Sequence, residues 1–187
     1  MNTLKNIKTN KDKELKNSKV STEIADNSGE INAKLESEHI QEVIKEDIDT
    51  HFKTLLVGFA QKLSSKSKGL IGYELALNTD DKHRYLRLTS NDSGGLFSKE
   101  WVKLDDLYAI LEPMDCNTSF KSSVFKTIIK GGSANNVSFL SAVLRCEEIA
   151  LIQKSEKSQF QHVINPLLVN QQDRLAKLKP MRTASKT

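Results

Sequence analysis

The predicted fold depends on one stretch of the chain, SFKSSVFKTIIKGGSANNVSFLSAVLRCEE, which covers residues 119–148. Apolar side chains recur there at three- and four-residue steps, which predicts a helix over 120–130. The Gly131-Gly132 pair ends that helix, because glycine readily adopts the backbone conformation found after a helix C-terminus. Small polar residues follow as N-cap candidates for another helix over 135–148. Two helices joined by a short glycine-containing turn are typical of a helix-turn-helix.

The flanking segments extend this pattern in both directions. A short helix is predicted over 105–111, stopped by Pro113, and two strands are predicted to form a hairpin over 150–164. This order of elements resembles a winged helix-turn-helix across residues 105–164. The resemblance implies a DNA-binding region whose third helix lies on the major groove and whose hairpin contacts a neighbouring groove or the backbone.

Two kinds of side chain make up the predicted DNA interface. Small polar groups at the start of the third helix can bind phosphate oxygens or base edges, since asparagine pairs with adenine and a helix N-terminus attracts phosphate. Basic side chains around them would contact the phosphates. The predicted nucleic-acid-binding residues are Ser133, Asn135, Asn136 and Ser138 in the polar group, and Lys126, Lys130, Arg145, Lys154 and Lys157 in the basic group.

The part of the chain before this region is predicted to contribute a helix and a sheet. Apolar residues at three- and four-residue steps predict a long amphipathic helix over 37–63. Its seven turns exceed what one small domain usually covers, so contact of part of its apolar face with a protein partner or a second copy of the chain is one interpretation. Packing inside the chain is the favoured one. Residues 70–89 predict a β-hairpin, and 97–104 a third strand.

These elements define the predicted fold class and domains. The fold class is α+β, with a long N-terminal helix, a small antiparallel β-sheet and a C-terminal part that resembles a winged helix-turn-helix. Residues 1–36 are predicted to be a disordered leader, because they are polar and show no lasting period. Residues 37–164 form the predicted core, and 165–187 a C-terminal helix with a basic tail.

Composition narrows the function classes. The chain has 187 residues, of which 37% are hydrophobic and 28% charged. No apolar run approaches the roughly 20 residues of a membrane-spanning helix. Residues 1–20 are rich in lysine and lack the apolar segment of a secretory signal, so none is expected there. Two cysteines make no disulfide framework, so we expect the reducing cytoplasm. Residues 121–187 carry a net charge of +7, which favours a polyanionic partner, here double-stranded DNA.

Motifs for catalysis or for metal and cofactor binding do not stand out. The histidines lack metal-ligand spacing, so neither a metal nor a cofactor is predicted. Residues 92–95, Asp-Ser-Gly-Gly, resemble the nucleophile loop of chymotrypsin-like serine proteases, but the chain is too short for that family's two barrels, and a turn is predicted. An alternative surface for stacking on nucleic-acid bases would use Tyr85, Trp101 and Tyr108 with Arg84 and Arg87.

The sequence therefore predicts a non-catalytic DNA-binding accessory or regulatory protein of bacterial or mobile-element type. The alternative is a protein-interaction module that binds and modulates a larger enzyme complex. That module would use the helix 37–63 and the hairpin 70–89 as its contact surface.

Overall fold

The first sheet begins with a strand where the sequence predicts a helix. The computed structural model describes residues 50–131 and 133–181. Strand β1, Phe52–Gln61, pairs antiparallel with strand β2, Leu70–Asn78. The predicted helix is therefore wrong for residues 52–61, and the rest of it before residue 50 lies outside the described part of the chain.

A β-bulge explains why β1 has an apolar pattern like that of a helix. The register shifts between Thr54 and Leu56, which adds one residue and reverses the alternation of the strand. Apolar steps of three and four residues then fit a bulged strand as well as a helix. Gly58 permits the pairing, because a Cβ at this position would lie 2.4 Å from the hydroxyl of the fully buried Tyr73.

The remainder of this sheet follows the prediction more closely. Strand β3, Arg84–Asn91, pairs antiparallel with β2, which confirms the predicted hairpin. The Asn78 side chain accepts the Asp80 backbone N–H at 2.8 Å, so the turn has the chemistry expected of asparagine. The predicted third strand is reduced to β4, Val102–Lys103, and the strand order is β1-β2-β3-β4.

A second sheet stands where the first helix of the predicted helix-turn-helix would lie. Phe120–Lys121 form strand β5, and a 3₁₀ helix, Ser122–Thr127, follows. Strand β7, Ser158–Ile164, lies between β5 and strand β6, Ile152–Ser155. Serine, threonine and β-branched residues give the stretch after 121 a low helix propensity. Residues 120 and 121 pair with β7 instead, and the residues that follow them form the 3₁₀ helix.

The predicted winged helix-turn-helix, and with it the predicted fold class, is wrong. The α-helices of the described residues are α1, Leu104–Leu111, α2, Asn136–Arg145, and α3, Leu168–Ala176. The hairpin β6–β7 is present, but it belongs to a three-stranded sheet, and no α-helix precedes α2 across the glycine turn. The described fold is a mixed one, with two small antiparallel sheets and helices between and beside them.

Helix α2 lies in the core of this fold. Leu140, Ala142, Val143 and Leu144 are buried, and the helix packs against β1, β2, β6 and the 3₁₀ helix. A recognition helix must expose one face to a DNA groove. Because α2 uses most of its surface for internal packing, its function is to join the two sheets.

Some predictions on the ends of the chain lie outside the described residues. These are the leader over 1–36 and the last six positions of the basic tail, 182–187. Among the residues that the structure describes, no helix is long and apolar enough to cross a bilayer.

Candidate nucleic-acid interface

Asn136 is one of the predicted base-reading residues, and its side chain forms hydrogen bonds within the protein. Its side chain is 2% exposed. The Oδ1 atom accepts the backbone N–H of Ser98 at 3.0 Å, and Nδ2 donates to the carbonyl of Lys130 at 3.0 Å. Asn136 therefore joins the loop before β4 to the loop before α2, and its hydrogen-bonding groups are not offered to a ligand.

Arg145 is one of the predicted phosphate contacts, and its side chain also forms hydrogen bonds within the protein. Its guanidinium donates to Nδ1 of His162 at 2.9 Å and to the carbonyls of Gln159 and Gln161. Burial lowers the pKa of Arg145 to about 10, so it remains a cation at neutral pH. The side chain thus holds β7 against the end of α2.

The contacts of Arg145 reveal a buried serine–histidine pair that the sequence analysis does not identify. Oγ of Ser122 lies 2.8 Å from Nε2 of His162. Because a guanidinium only donates, Nδ1 of His162 accepts, and the ring proton lies on Nε2 and points to the serine. The imidazole cannot accept the serine proton, so this pair is not an activated nucleophile. The one sequence clue is that His162 alternates in phase with Ile164.

The remaining predicted residues lie on the surface or beside it. Lys154 and Lys157 are exposed on the β6–β7 hairpin, where Lys154 pairs in register with His162. Ser133 accepts the backbone N–H of Asn135 at 3.2 Å, and the Asn135 side chain is exposed. Ser138 is half-buried in the first turn of α2.

Lys126 and Lys130 line an open cleft with two of the predicted polar residues. The cleft has a volume of about 440 Å³ and lies between the 3₁₀ helix and the start of α2. Ser133 and Asn136 contribute to its wall together with small and apolar residues. The first backbone amides of α2 adjoin this cleft, and a helix N-terminus favours negative charge.

Three loops meet at one end of the four-stranded sheet. They are the β1–β2 loop (62–69), the β3–β4 loop (92–101) and the segment 126–135. Lys62 Nζ donates to Asn91 Oδ1 at 2.6 Å, and Ser93 Oγ donates to the carbonyl of Lys68 at 2.6 Å. The Asn136 bonds described above bring the third loop to the second. We call this region the lysine end and define it by its six lysines, Lys62, Lys66, Lys68, Lys99, Lys126 and Lys130.

The lysine end has a clear excess of positive charge. Its three loops contain two acidic residues, Asp92 and Glu100. Asp92 accepts the backbone N–H of Leu70 at 3.2 Å, and Glu100 accepts that of Lys130. Both carboxylates therefore bond to backbone amides, and none of the six lysines forms an ion pair within the described residues.

The opposite end of the same sheet is acidic, and we call it the acidic end. The β2–β3 turn and the start of α1 bring together Asp80, Asp81, Asp105 and Asp106. Asp80, Asp81 and Asp105 have partners within the protein, and Tyr85 donates to Asp81 at 2.5 Å. His51 Nδ1 lies 2.9 Å from Asp80, and His83 Nδ1 lies 2.5 Å from Asp105.

Two of the aromatic residues considered for base stacking, Tyr85 and Trp101, form a cluster with Phe52. Phe52 stacks on Trp101 with ring centres 4.1 Å apart, and the Arg87 guanidinium lies 4.2 Å from the Trp101 ring centre. Two flat groups cannot share one side of a ring at this distance, so they cover opposite sides. Arg87 also pairs with Glu74 at 2.8 Å. The indole is thus stacked within the protein.

Thiol and metal chemistry have little support in the described residues. They contain no group of three His, Cys, Asp or Glu side chains that could hold a metal ion. Cys116 is exposed, whereas Cys146 is half-buried and bonded to the Tyr73 hydroxyl at 3.3 Å. Burial raises the pKa of the Cys146 thiol, which disfavours the reactive thiolate.

Comparisons of the chain with protein-family models, with curated proteins and with solved structures returned no match. The function is therefore argued from the residues of this chain.

Proposed function

We propose that the protein binds double-stranded DNA without catalysing a reaction, and that the lysine end faces the phosphates. The observation that carries this proposal is the set of six lysines on three joined loops, without ion-pair partners in the described part of the chain. An accessory or regulatory role in the cytoplasm belongs to the same proposal.

The arrangement suits a phosphate backbone because the loops are fixed while five of the six lysines are exposed on them, Lys66, Lys68, Lys99, Lys126 and Lys130. Hydrogen bonds from Lys62 to Asn91 and from Ser93 to Lys68 hold the first two loops together. Each lysine that neutralises a phosphate releases condensed counterions, which lowers the free energy of binding at low salt. Contacts from these five lysines would give a log–log salt slope of about −4.5 for B-form DNA.

The predicted residues take different roles in this proposal. Lys126 and Lys130 contact phosphates directly, and Ser133 and Asn135 can bond to the same strand beside the cleft. Asn136 acts indirectly, because it holds the loops in place. The proposal does not require a helix in the major groove, so sequence discrimination is expected to be weak.

The test is binding to a random 30-base-pair duplex over a salt series, using the full chain. We compare Lys126→Ala/Lys130→Ala with the matched control Lys177→Ala/Lys179→Ala. The control lysines are also exposed, and they follow α3 near the acidic end, where Ala176 accepts a hydrogen bond from Arg84.

We expect the first variant to lower the magnitude of the salt slope by about 2, since each lost phosphate contact removes about 0.9. The control should change the slope by much less. Equal changes in both variants would show that binding is diffuse, and no binding of the wild type at low salt would disprove the proposal.

A second candidate function, protein interaction or self-association, is favoured by exposed apolar side chains on β1. Val57 and Phe59 lie on the same face of this edge strand and are 53% and 63% exposed. Neighbouring apolar side chains at a sheet edge are typical of a contact surface. Light scattering across a concentration series tests self-association. If a dimer forms, Val57→Lys/Phe59→Lys should return it to a monomer.

A further inference from the structure

The lysine end contains the most exposed of the large hydrophobic side chains in the described residues. Leu96 is 78% exposed and lies in the β3–β4 loop. A single exposed leucine is common on protein surfaces and by itself indicates no function. The surroundings of Leu96 are what distinguish it, because the same end of the sheet carries six lysines without ion-pair partners in the described residues.

The loop that carries Leu96 projects from a fixed base. Gly94 and Gly95 have φ values of 74° and 87°, a backbone conformation that residues other than glycine rarely adopt. No atom lies within 4 Å of a Cβ placed on Gly94, so the loop is open to solvent at this residue. At the base, the Gly94 N–H donates to the Asn91 carbonyl at 2.9 Å, and the Asn91 side chain donates back to the Gly94 carbonyl.

The C-terminal side of the loop, residues 97–99, is also fixed by contacts with the rest of the protein. The Ser98 backbone N–H bonds to Asn136, and Phe97 packs against the core with Lys99 above its ring. Leu96 is therefore presented between two anchored segments rather than on a free chain. A short apolar group held in this way has the form of the apolar wedges that minor-groove proteins insert between base pairs.

We propose that Leu96 inserts between base pairs from the minor groove and bends the duplex towards the lysine end. This inference rests on the DNA-binding function proposed above. Partial unstacking of one base step costs free energy, which is offset when the bent duplex brings more phosphates to the lysines on either side. Pyrimidine–purine steps and mismatches unstack most easily, so the protein should favour them.

DNA is favoured over a lipid surface because of the amount of apolar surface available. Stable attachment to a bilayer normally needs two anchoring signals, and one leucine side chain buries little area. A wedge at a base step needs only one side chain. Binding to vesicles is nevertheless included as an outcome of the test.

The experiment measures DNA bending by energy transfer between dyes on the two ends of a 30-base-pair duplex with a central TA step. Wild type is compared with Leu96→Ser, with Leu96→Phe and with the control Val169→Ser. Val169 lies on α3 and is 67% exposed, so the control also replaces an exposed apolar side chain. We expect wild type, Leu96→Phe and the control to increase energy transfer. Leu96→Ser should bind about 3- to 30-fold more weakly, with a salt slope of smaller magnitude because fewer phosphates reach the lysines, and without the increase.

The outcomes separate this inference from the function on which it rests. Binding of wild type without bending, or equal bending by Leu96→Ser, overturns the wedge and leaves DNA binding intact. No binding of wild type at low salt disproves both. Binding to vesicles of phosphatidylserine and phosphatidylcholine that is lost in Leu96→Ser, with DNA bending unchanged, would assign the leucine to a membrane surface and overturn the wedge.

Discussion

The two ends of the four-stranded sheet carry opposite charges and use them differently. At the acidic end, His51 and His83 pair with aspartates, and Tyr85 donates to Asp81 at 2.5 Å. At the lysine end, the two acids bond to backbone amides and the lysines have no ion-pair partner in the described residues. Cations that form no ion pair within the protein remain available to the phosphates of another molecule, whereas carboxylates repel phosphates. On the proposed function, the lysine end is therefore the one that faces the DNA.

Charge reversal at the lysine end should have the largest effect. Lys66→Glu/Lys68→Glu removes two cations from the β1–β2 loop and adds two repulsive charges. DNA affinity at about 0.1 M salt should fall on the order of a thousandfold, because four units of charge are changed. Fluorescence anisotropy with a labelled duplex measures this. The control Lys177→Glu/Lys179→Glu should lose far less, and an equal loss would mean that the two ends do not differ in function.

Mild acid should destabilise the second sheet through the buried His162. Burial, and then the nearby Arg145 cation, lower the pKa of His162 to about 4. Because the unfolded histidine titrates near 6.5, the unfolded chain binds more protons between these values, and stability falls as the pH drops from about 6.5 through about 4. The full loss is about 3 kcal/mol.

Urea unfolding at pH 7 and at pH 4.5 measures this dependence for wild type and for His162→Gln. Glutamine can accept from Arg145 and donate to Ser122, and it does not titrate. The difference in unfolding free energy between the two proteins should shrink at the lower pH. A difference that is the same at both pH values would mean that His162 does not control the acid response.

The junction that builds the lysine end can be weakened by Asn136→Ala. The substitution leaves the Ser98 N–H and the Lys130 carbonyl without their side-chain partner, and we expect a loss of about 2 kcal/mol in unfolding free energy. Denaturant unfolding measures this loss. Asn135→Ala, at an exposed neighbour, should change it by less than about 0.5 kcal/mol. Similar losses in both would contradict the role given to Asn136.

The smallest effect is expected at the acidic end. Asp105→Asn removes the partner of His83 and of Lys103, which lies 3.7 Å from the carboxylate. These groups are largely exposed, so thermal unfolding should report a loss of less than about 1 kcal/mol. DNA affinity should stay within about twofold of wild type, since this end faces away from the proposed partner. A strong loss of DNA affinity would mean that the acidic end is part of the DNA interface.

Local patterns allowed part of the fold to be predicted. The β2–β3 hairpin follows from alternating residues and the turn at Asn78, and α1, α2 and α3 follow from helical periodicity with capping or breaking residues at their ends. The first part of the predicted helix-turn-helix failed, because the apolar spacing near Phe120 and Phe125 also fits a strand followed by a 3₁₀ helix.

The candidate site could be predicted only in part for a related reason. Lys126, Lys130, Ser133 and Asn135 lie together beside one cleft or its edge, as local sequence suggested. Asn136 and Arg145 have the same side-chain chemistry as residues that bind DNA, but each has its donors or acceptors occupied by a distant segment. Sequence spacing contains no information on such partners.

The sequence by itself determined the local elements and the excess of lysine, because turns, helix ends and charge depend on neighbouring residues. Tertiary structure alone decided that β1 is a strand, since its bulged pattern fits two conformations and pairing with β2 selects one. It also decided where the charges meet. Lysines of the β1–β2 and β3–β4 loops meet because antiparallel strands return these loops to the same end of the sheet, and the Asn136 bonds bring the segment 126–135 to them.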